Sequence, residues 1–337
     1  MHPELFEIPF TNGLTVKSYG LMMVIGFLLA VTIIRKLSKN ITPDSQMVTN
    51  AALYALIAGI VGARVFYVLH YFGKFRGDLL SVFAIWEGGL ELLGGVLFAM
   101  TVIILYLRFH KLPVRRYLDI LAVGLMVALA FGRIGCLLNG CCFGKPANLP
   151  WAISFPYGSF SFNSQIYWNP ERNRIEPQLI LPGEFSQVNM NEHGITPYDL
   201  KPLEKLTEQQ KQMVKKGGKY CALGVHPTQL YSSAAAFICA FILYRFRERN
   251  LKAELKNMKK ILMKPGSAFA AMLILYAVIR FSIEFLRDDN PYEFDHFTIS
   301  QNIAIAMFVL GLVLMVIFQK LKNDKVDVTK LTSKNSC

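Results

Sequence analysis

The sequence predicts an all-α integral membrane protein of seven transmembrane helices, with its amino terminus outside, its carboxyl terminus in the cytoplasm, and an extracytoplasmic insertion between helices four and five. Three observations carry that expectation. The 337 residues are 53% hydrophobic and only 18% charged, against roughly 45–50% and about 25% in ordinary soluble domains. The apolar residues come in blocks of about 20, the number that crosses a bilayer core about 30 Å thick. The basic residues gather in alternate connections between those blocks, as the positive-inside rule requires. Disordered, collagen-like and small disulfide-stapled classes are excluded by composition.

The predicted spans are 18–37, 48–72, 88–108, 117–138, 225–246, 264–286 and 299–319. The first is not a cleavable signal peptide, because it lacks a basic leader and a small-residue cleavage site before Arg35. Of 36 Lys and Arg residues, 20 fall in 35–47, 108–116, 245–264 and 320–337. The alternate connections are poor in them, and 287–298 holds Asp288, Asp289, Glu293 and Asp295 instead. The net charge of +13 thus reflects topology and contact with anionic membrane lipid, and no nucleic-acid partner is expected. The chain therefore divides into helices one to four (1–144), a polar cap or loop (145–224), helices five to seven (225–320) and a basic cytoplasmic tail (321–337). Aromatic residues from Trp151 to Trp168 offer the cap a small core, and Leu203 to Lys219 reads as one helix.

Charges inside a span cost at least about 2.5–3.5 kcal/mol on insertion scales, which marks them as functional candidates. Arg64, Arg133, Arg280 and Glu284 are those charges. Each arginine lies about sixteen residues into a span that starts at the cytoplasmic face, hence about 24 Å up, in the outer leaflet. The spans running the other way begin there with Tyr19, with Gly88, Gly89, Gly94 and Gly95, and with His226, Gln229 and Tyr231. Arg133, Cys136 and Gly140 share one helix face, as do Arg280, Glu284 and Arg287. Gly132, Gly135 and Gly140 let a neighbour or a headgroup approach the backbone. Two readings stand for Arg280 and Glu284, an ion pair sealed in the bundle or part of an anion site. A guanidinium fork suits phosphate, and a phospholipid headgroup is the anion expected at that depth.

His226 opens His-Pro-Thr-Gln-Leu-Tyr, which reads either as a helix start with proline in its first turn or as a titratable group beside the arginines. Tyr19 reads either as an interfacial tyrosine or as a reacting one. Six cysteines include the cluster Cys136, Cys141 and Cys142. No metal is expected there, since two separated CxxC pairs are absent and adjacent cysteines are poor joint ligands of one tetrahedral ion. A disulfide from Cys141 or Cys142 to Cys221 is an option in an oxidising compartment.

These motifs resemble those of the bacterial prolipoprotein diacylglyceryl transferase family. The similar segments are SYGLMMVIGFLLA (18–30), GARVFYVLHY (62–71), WEGGLELLGG (86–95), GRIGCLLNGCCFG (132–144), HPTQLY (226–231), LYAVIRFSIEFLRDD (275–289) and Ile299 to Gln301. The resemblance implies a multi-pass bacterial inner-membrane enzyme that moves diacylglycerol from phosphatidylglycerol to the lipobox cysteine thiol of a prolipoprotein. Glycerol phosphate is released, and no cofactor is implied. By motif, Tyr19, Arg133 and Arg280 match functional positions of the family, and Glu284, Gly132, Gly135, Gly140 and Gly144 match their surroundings. Arg64, Cys136, Asn139, Gly94 and Gly95 join the expected substrate-binding set, and His226 the catalytic one. Two positions depart from the family: Leu93 stands where members have histidine, and Cys136 where many have asparagine. Tyr19 or His226 is therefore the expected base. Other classes remain open, a transporter of an anionic solute or a catalytically silent lipid-binding relative. A transporter should place polar residues at several depths, whereas the inner halves of these spans are apolar.

Overall fold

The structure is a computed structural model that describes residues 4–7, 15–39, 41, 46–75, 79–84, 88–89, 91–172, 174–191, 194–255, 263–292 and 297–322. The long helices are α1 (Ser18–Ser38), α2 (Gln46–His70), α3 (Leu92–Phe109), α4 (Val114–Asn139), α5 (Thr228–Leu255), α6 (Ser267–Glu284) and α7 (Ile299–Lys320). All except α3 are long and apolar enough to cross a membrane, so six candidate spans are present among the described residues. Many of their large apolar side chains, such as Leu28, Leu69, Phe109 and Val316, are exposed, as surfaces that face lipid must be. Two short antiparallel pairs accompany the helices: β1 (Glu4–Glu7) with β2 (Thr15–Lys17), and β3 (Ser186–Asn191) with β4 (Gly194–Leu200).

Three boundaries differ from the predicted ones. The third span was expected from residue 88, but the helix begins at Leu92. Gly88 and Gly89 have φ of +89° and +70°, which a right-handed helix does not admit. At the other side, α5 runs on to Leu255, carried past the apolar stretch by charged residues such as the Glu248–Lys252 pair, 3.3 Å apart. The expected helix from Leu203 to Lys219 is a turn at Leu203–Lys205 and a helix at Glu208–Val214. Its start is fixed by Thr207 and Gln210, each bonding the other's backbone N–H.

The chain divides into two compact units. One comprises Leu28–Leu125, Ile242–Ala271 and Leu314–Cys337. Within it α2 and α3 lie close: a Cβ on Gly94 would stand 2.5 Å from the Gly62 carbonyl, and one on Gly95 would stand 3.0 Å from that of Gly59. At Gly94 and Gly95, both in the expected substrate-binding set, the space a side chain would take is filled by the facing helix. Arg64 was expected to bind phosphate, yet its guanidinium donates to the carbonyls of Ser81 (2.6 Å), Val82 (2.8 Å), Gly88 (2.7 Å) and Gly89 (3.1 Å). Those bonds organise the segment before α3, and Leu93 sits half-exposed on that helix. Asp119, which the sequence did not single out, accepts from the N–H groups of Gly266 (2.7 Å), Ala268 (2.8 Å) and Phe269 (3.0 Å). It thus satisfies the free donors at the start of α6.

The other unit comprises Met1–Phe27, Met126–Phe241 and Met272–Val313. Here α1 meets α4, because a Cβ on Gly135 would lie only 3.2 Å from Met22 and from the Tyr19 ring. Helix α7 starts at a buried capping box, Thr298 with Gln301. Residues 145–224 are folded around Phe185, Leu206 and Val214, with Tyr157, Leu181 and Tyr220 against them. Phe155 and Phe162 are buried as expected, whereas Trp151, Phe160 and Trp168 lie outside this core. Gln165 ties the segment together by bonding both the N–H and the C=O of Leu223. The proposed tail 321–337 lies almost wholly outside the described residues.

Asp119→Ala leaves three buried N–H groups without an acceptor, which costs about 1–3 kcal/mol per group. Thermal unfolding of the purified variant in detergent should therefore show a clear loss of stability, while Asp119→Asn, which keeps an oxygen, recovers part of it.

Candidate active site

The centre of the first-described site is the carboxylate of Glu284, on the last turn of α6 and 1% exposed. Arg280, one turn earlier, approaches Glu284 Oε2 with Nη1 at 2.8 Å. Arg287 Nε stands 3.8 Å from the same oxygen, and Arg172 Nη2 3.9 Å from Oε1. Oε1 also accepts from Asn290 Nδ2 at 2.6 Å and from the Thr298 hydroxyl at 3.0 Å. One buried carboxylate is thus ringed by three guanidinium groups. Two further carboxylates join them: Arg174 meets Asp288 at 2.6 Å, and Arg287 makes a two-pronged pair with Asp289.

Among the described residues, five guanidinium groups, Arg133 included, stand against the three carboxylates of Glu284, Asp288 and Asp289. Donors are also left over: Nε and Nη2 of Arg172 and Nη1 of Arg280 have no directed hydrogen bond among the described residues. The Arg280–Glu284 contact is therefore close but not aligned: the ion pair of the first reading is present, with Nη1 of Arg280 left without a directed hydrogen bond among the described residues. Burial works to lower the pKa of Arg287, but the bonded Asp289 carboxylate outweighs it and holds that pKa above the usual arginine value.

Arg133 differs from its neighbours. Among the described residues no hydrogen bond or ion pair is formed by its guanidinium. It lines a narrow cleft with Arg280, Ser232, Tyr276 and the apolar Leu129 and Ile283. Arg280 is anchored on the far side by donating to the Ser300 hydroxyl at 2.6 Å. Arg133 and the tethered Arg280 thus face the same part polar, part apolar space. Tyr19, at the start of α1, is half-exposed beside Gly135 and within electrostatic reach of Arg133. Gly132 lies one residue before Arg133, against Met23.

The turn after α4 carries the rest of the motif. Gly140, at φ +77°, ends the helix; its N–H bonds Leu137 O and the Cys141 N–H bonds Cys136 O, the paired bonds of a Schellman motif. The chain then runs as a short strand between two others. Gly144 N bonds His226 O at 3.1 Å, His226 N bonds Lys145 O at 3.0 Å, and Lys145 N bonds Leu286 O at 2.8 Å. A Cβ on Gly144 would meet His226 at 2.6 Å and Leu286 O at 2.8 Å, so this crossing needs glycine. Thr228 and Gln229 donate to the carbonyls of Cys142 and Cys141, both at 2.7 Å. The His-Pro-Thr-Gln motif is therefore a clamp on the cysteine turn, and the turn fixes Arg287 beside it. The His226 ring lies 3.5 Å from the Tyr231 hydroxyl, which Trp151 also bonds.

All five described cysteines carry free thiols, so the optional disulfide to Cys221 is not formed. Cys141 turns back on Cys136 instead, and the side chain of Asn139 reaches the Cys141 thiol. Hydrogen bonds from Cys136 and Cys141 first, then Arg287 and Arg133, favour the Cys142 thiolate over the opposing effect of burial and lower its pKa.

The prolipoprotein diacylglyceryl transferase family model matches residues 3–317. The chain belongs to this family. Curated relatives named phosphatidylglycerol–prolipoprotein diacylglyceryl transferase include those of Clostridium tetani (26% identical, 93% of this chain and 96% of that one), Bifidobacterium adolescentis (29%, 91% and 76%) and Buchnera aphidicola (29%, 93% and 96%). The family match takes in every element of the site just described.

Of the expected site residues, the structure gathers Tyr19, Gly132, Arg133, Gly135, Cys136, Asn139, Gly140, Gly144, His226, Arg280 and Glu284 in one unit. Arg64, Gly94 and Gly95 belong to the other. The sequence reading missed Arg172, Arg174, Asn290 and Ser300. The arginines sit in a polar segment where arginine is unremarkable, and only the intervening fold brings them to Glu284. Glu284→Ala leaves Arg172 and Arg280 buried without the carboxylate they surround, while Arg287 keeps Asp289, a loss of about 3–5 kcal/mol. Thermal unfolding in detergent should show it, with Glu284→Gln intermediate because the Asn290 and Thr298 bonds survive.

Proposed function

We propose that this chain is a phosphatidylglycerol–prolipoprotein diacylglyceryl transferase of the bacterial inner (plasma) membrane, crossing it seven times with its amino terminus outside. Helix α3 is the seventh span, and residues 145–224 form an extracytoplasmic cap between α4 and α5. The observation that carries the reading is the pairing, in a family member, of Arg133, unbonded among the described residues, with tethered Arg280 on a cleft that is part polar and part apolar.

In this proposal Arg133 and Arg280 hold the phosphate of phosphatidylglycerol, and the acyl chains follow the apolar wall into the bilayer. The lipobox cysteine of the prolipoprotein signal peptide attacks, as its thiolate, the glyceryl carbon that bears the phosphate ester. A carbon–sulfur bond forms, the carbon–oxygen bond to phosphate breaks, and glycerol phosphate leaves with the electron pair. The proton lost by the thiol ends on the solvent or on the released phosphate. Negative charge grows on the leaving group, so guanidinium groups fixed in a partly dry site favour the transition state over the ground state. A free thiol, pKa about 8.5, is only a few per cent ionised at neutral pH. Tyr19, half-exposed beside Arg133, is the group proposed to receive and orient it. His226 is a positioning residue that acts through the clamp on the turn. No cofactor enters the scheme.

The test is transfer to a synthetic lipobox peptide in phosphatidylglycerol vesicles, followed by the mass of the peptide. Wild-type protein should add one diacylglyceryl group. Arg133→Ala and Arg280→Ala should each lower the rate by about 100-fold or more while inserting normally, and Arg133→Lys should recover part of it. Near-normal turnover in both alanine variants overturns the phosphate role.

A further inference from the structure

The three cysteines of the turn after α4 have no part in the proposed chemistry, yet the fold collects them. Among the described residues their Sγ atoms all lie within 4.8 Å of one another. Cys136 is buried, and Cys141 and Cys142 are half-buried. Adjacent cysteines in extended chain point to opposite sides, the objection to joint ligation that the spacing alone raises. Two backbone features remove it. The Schellman turn at Gly140 lays Cys141 over Cys136, with an N–H···O bond of 3.1 Å. Cys142 itself adopts φ +59°, a left-handed conformation that costs about 1–3 kcal/mol for a residue with a side chain. That cost is met from outside, by Thr228 and Gln229 holding the carbonyls of Cys142 and Cys141 at 2.7 Å. The backbone is thus strained in the way that makes three sulfurs converge.

We propose that Cys136, Cys141 and Cys142 form a binding site for a thiophilic d10 cation, either Cu(I) in trigonal coordination or Zn(II) with water as its fourth ligand. Soft thiolates select these ions, whereas Mg(II) and Ca(II) require oxygen donors. A metal–sulfur distance of about 2.3 Å places sulfurs about 3.8–4.0 Å apart, so the cluster needs to contract by no more than about 1 Å. Binding releases the thiol protons, three at most, to solvent. The complex of three thiolates carries one negative charge with Zn(II) and two with Cu(I). Arg133 and Arg287, both within electrostatic reach of Cys142, offset that charge. A bound ion would lock the turn that ends the Arg133 helix and stands beside Arg287. This site is independent of the transferase reading, because its test reads metal rather than lipid transfer.

Full-length protein purified in detergent, reduced and stripped with chelator, is titrated with Zn(II) or Cu(I) against a chromophoric competitor. One equivalent should bind, and the ion bound more tightly relative to its competitor identifies the occupant. Cys239→Ser removes a buried thiol of α5 outside the cluster and should leave the stoichiometry unchanged. The double variant Cys141→Ser/Cys142→Ser should lose the site. On unsubstituted protein, bound metal should protect the cluster thiols from N-ethylmaleimide, counted by mass spectrometry, while Cys221 stays reactive. Three results each overturn the proposal: no bound metal, binding that survives the double variant, or a disulfide within the cluster that persists in the reduced preparation.

Discussion

The site depends on a single buried carboxylate. Glu284 is ringed by Arg172, Arg280 and Arg287 and is bonded by Asn290 and Thr298. A carboxylate in such a place is tolerated only because its partners surround it. The partners in turn stay fixed only because it is there. They come from α6, from the segment after it and from residues 145–224, so one side chain joins parts of the chain more than a hundred residues apart. Among the described residues the arginines outnumber the acids, and the proposed phosphate role of Arg133 and Arg280 draws on that.

The second constraint is the strand that follows α4. Gly144 passes between His226 and Leu286 with no space for a Cβ, and Thr228 and Gln229 grip the turn before it. Four motifs that are distant in sequence thereby become one object: Gly-Arg on α4, the cysteine turn, His-Pro-Thr-Gln at the head of α5, and Arg-Asp after α6. The His-Pro-Thr-Gln motif joins this object through the His226 backbone and the Thr228 and Gln229 side chains.

Much of this was legible in the sequence. Apolar blocks of bilayer length gave the helices, and arginine or glutamate inside such blocks pointed to Arg133, Arg280 and Glu284, since few other tasks offset the cost of charge in lipid. Arg64 obeyed the same rule and led elsewhere: its donors go to four carbonyls before α3. Hydropathy registers that a charge is buried but not whether backbone or ligand receives it. Gly94 and Gly95 face α2, and a glycine that opens space does not say what fills it. Arg172 and Arg174 were invisible for the opposite reason, being charged residues in a polar segment, and Asp119 gave no sign that three N–H groups of α6 depend on it. The convergence of the three cysteines was not legible, because spacing alone says nothing of the backbone conformation at Gly140 and Cys142.

The central claim is that Arg133, whose guanidinium has no hydrogen bond or ion pair among the described residues, holds a phospholipid phosphate. Native mass spectrometry of the protein released from membranes addresses it directly, by counting retained phosphatidylglycerol in wild type and in Arg133→Gln, a change of charge with little change of size. The account predicts one phosphatidylglycerol retained by the wild type and little or none by the variant, with equal thermal stability in both. Equal retention in the two proteins would contradict it.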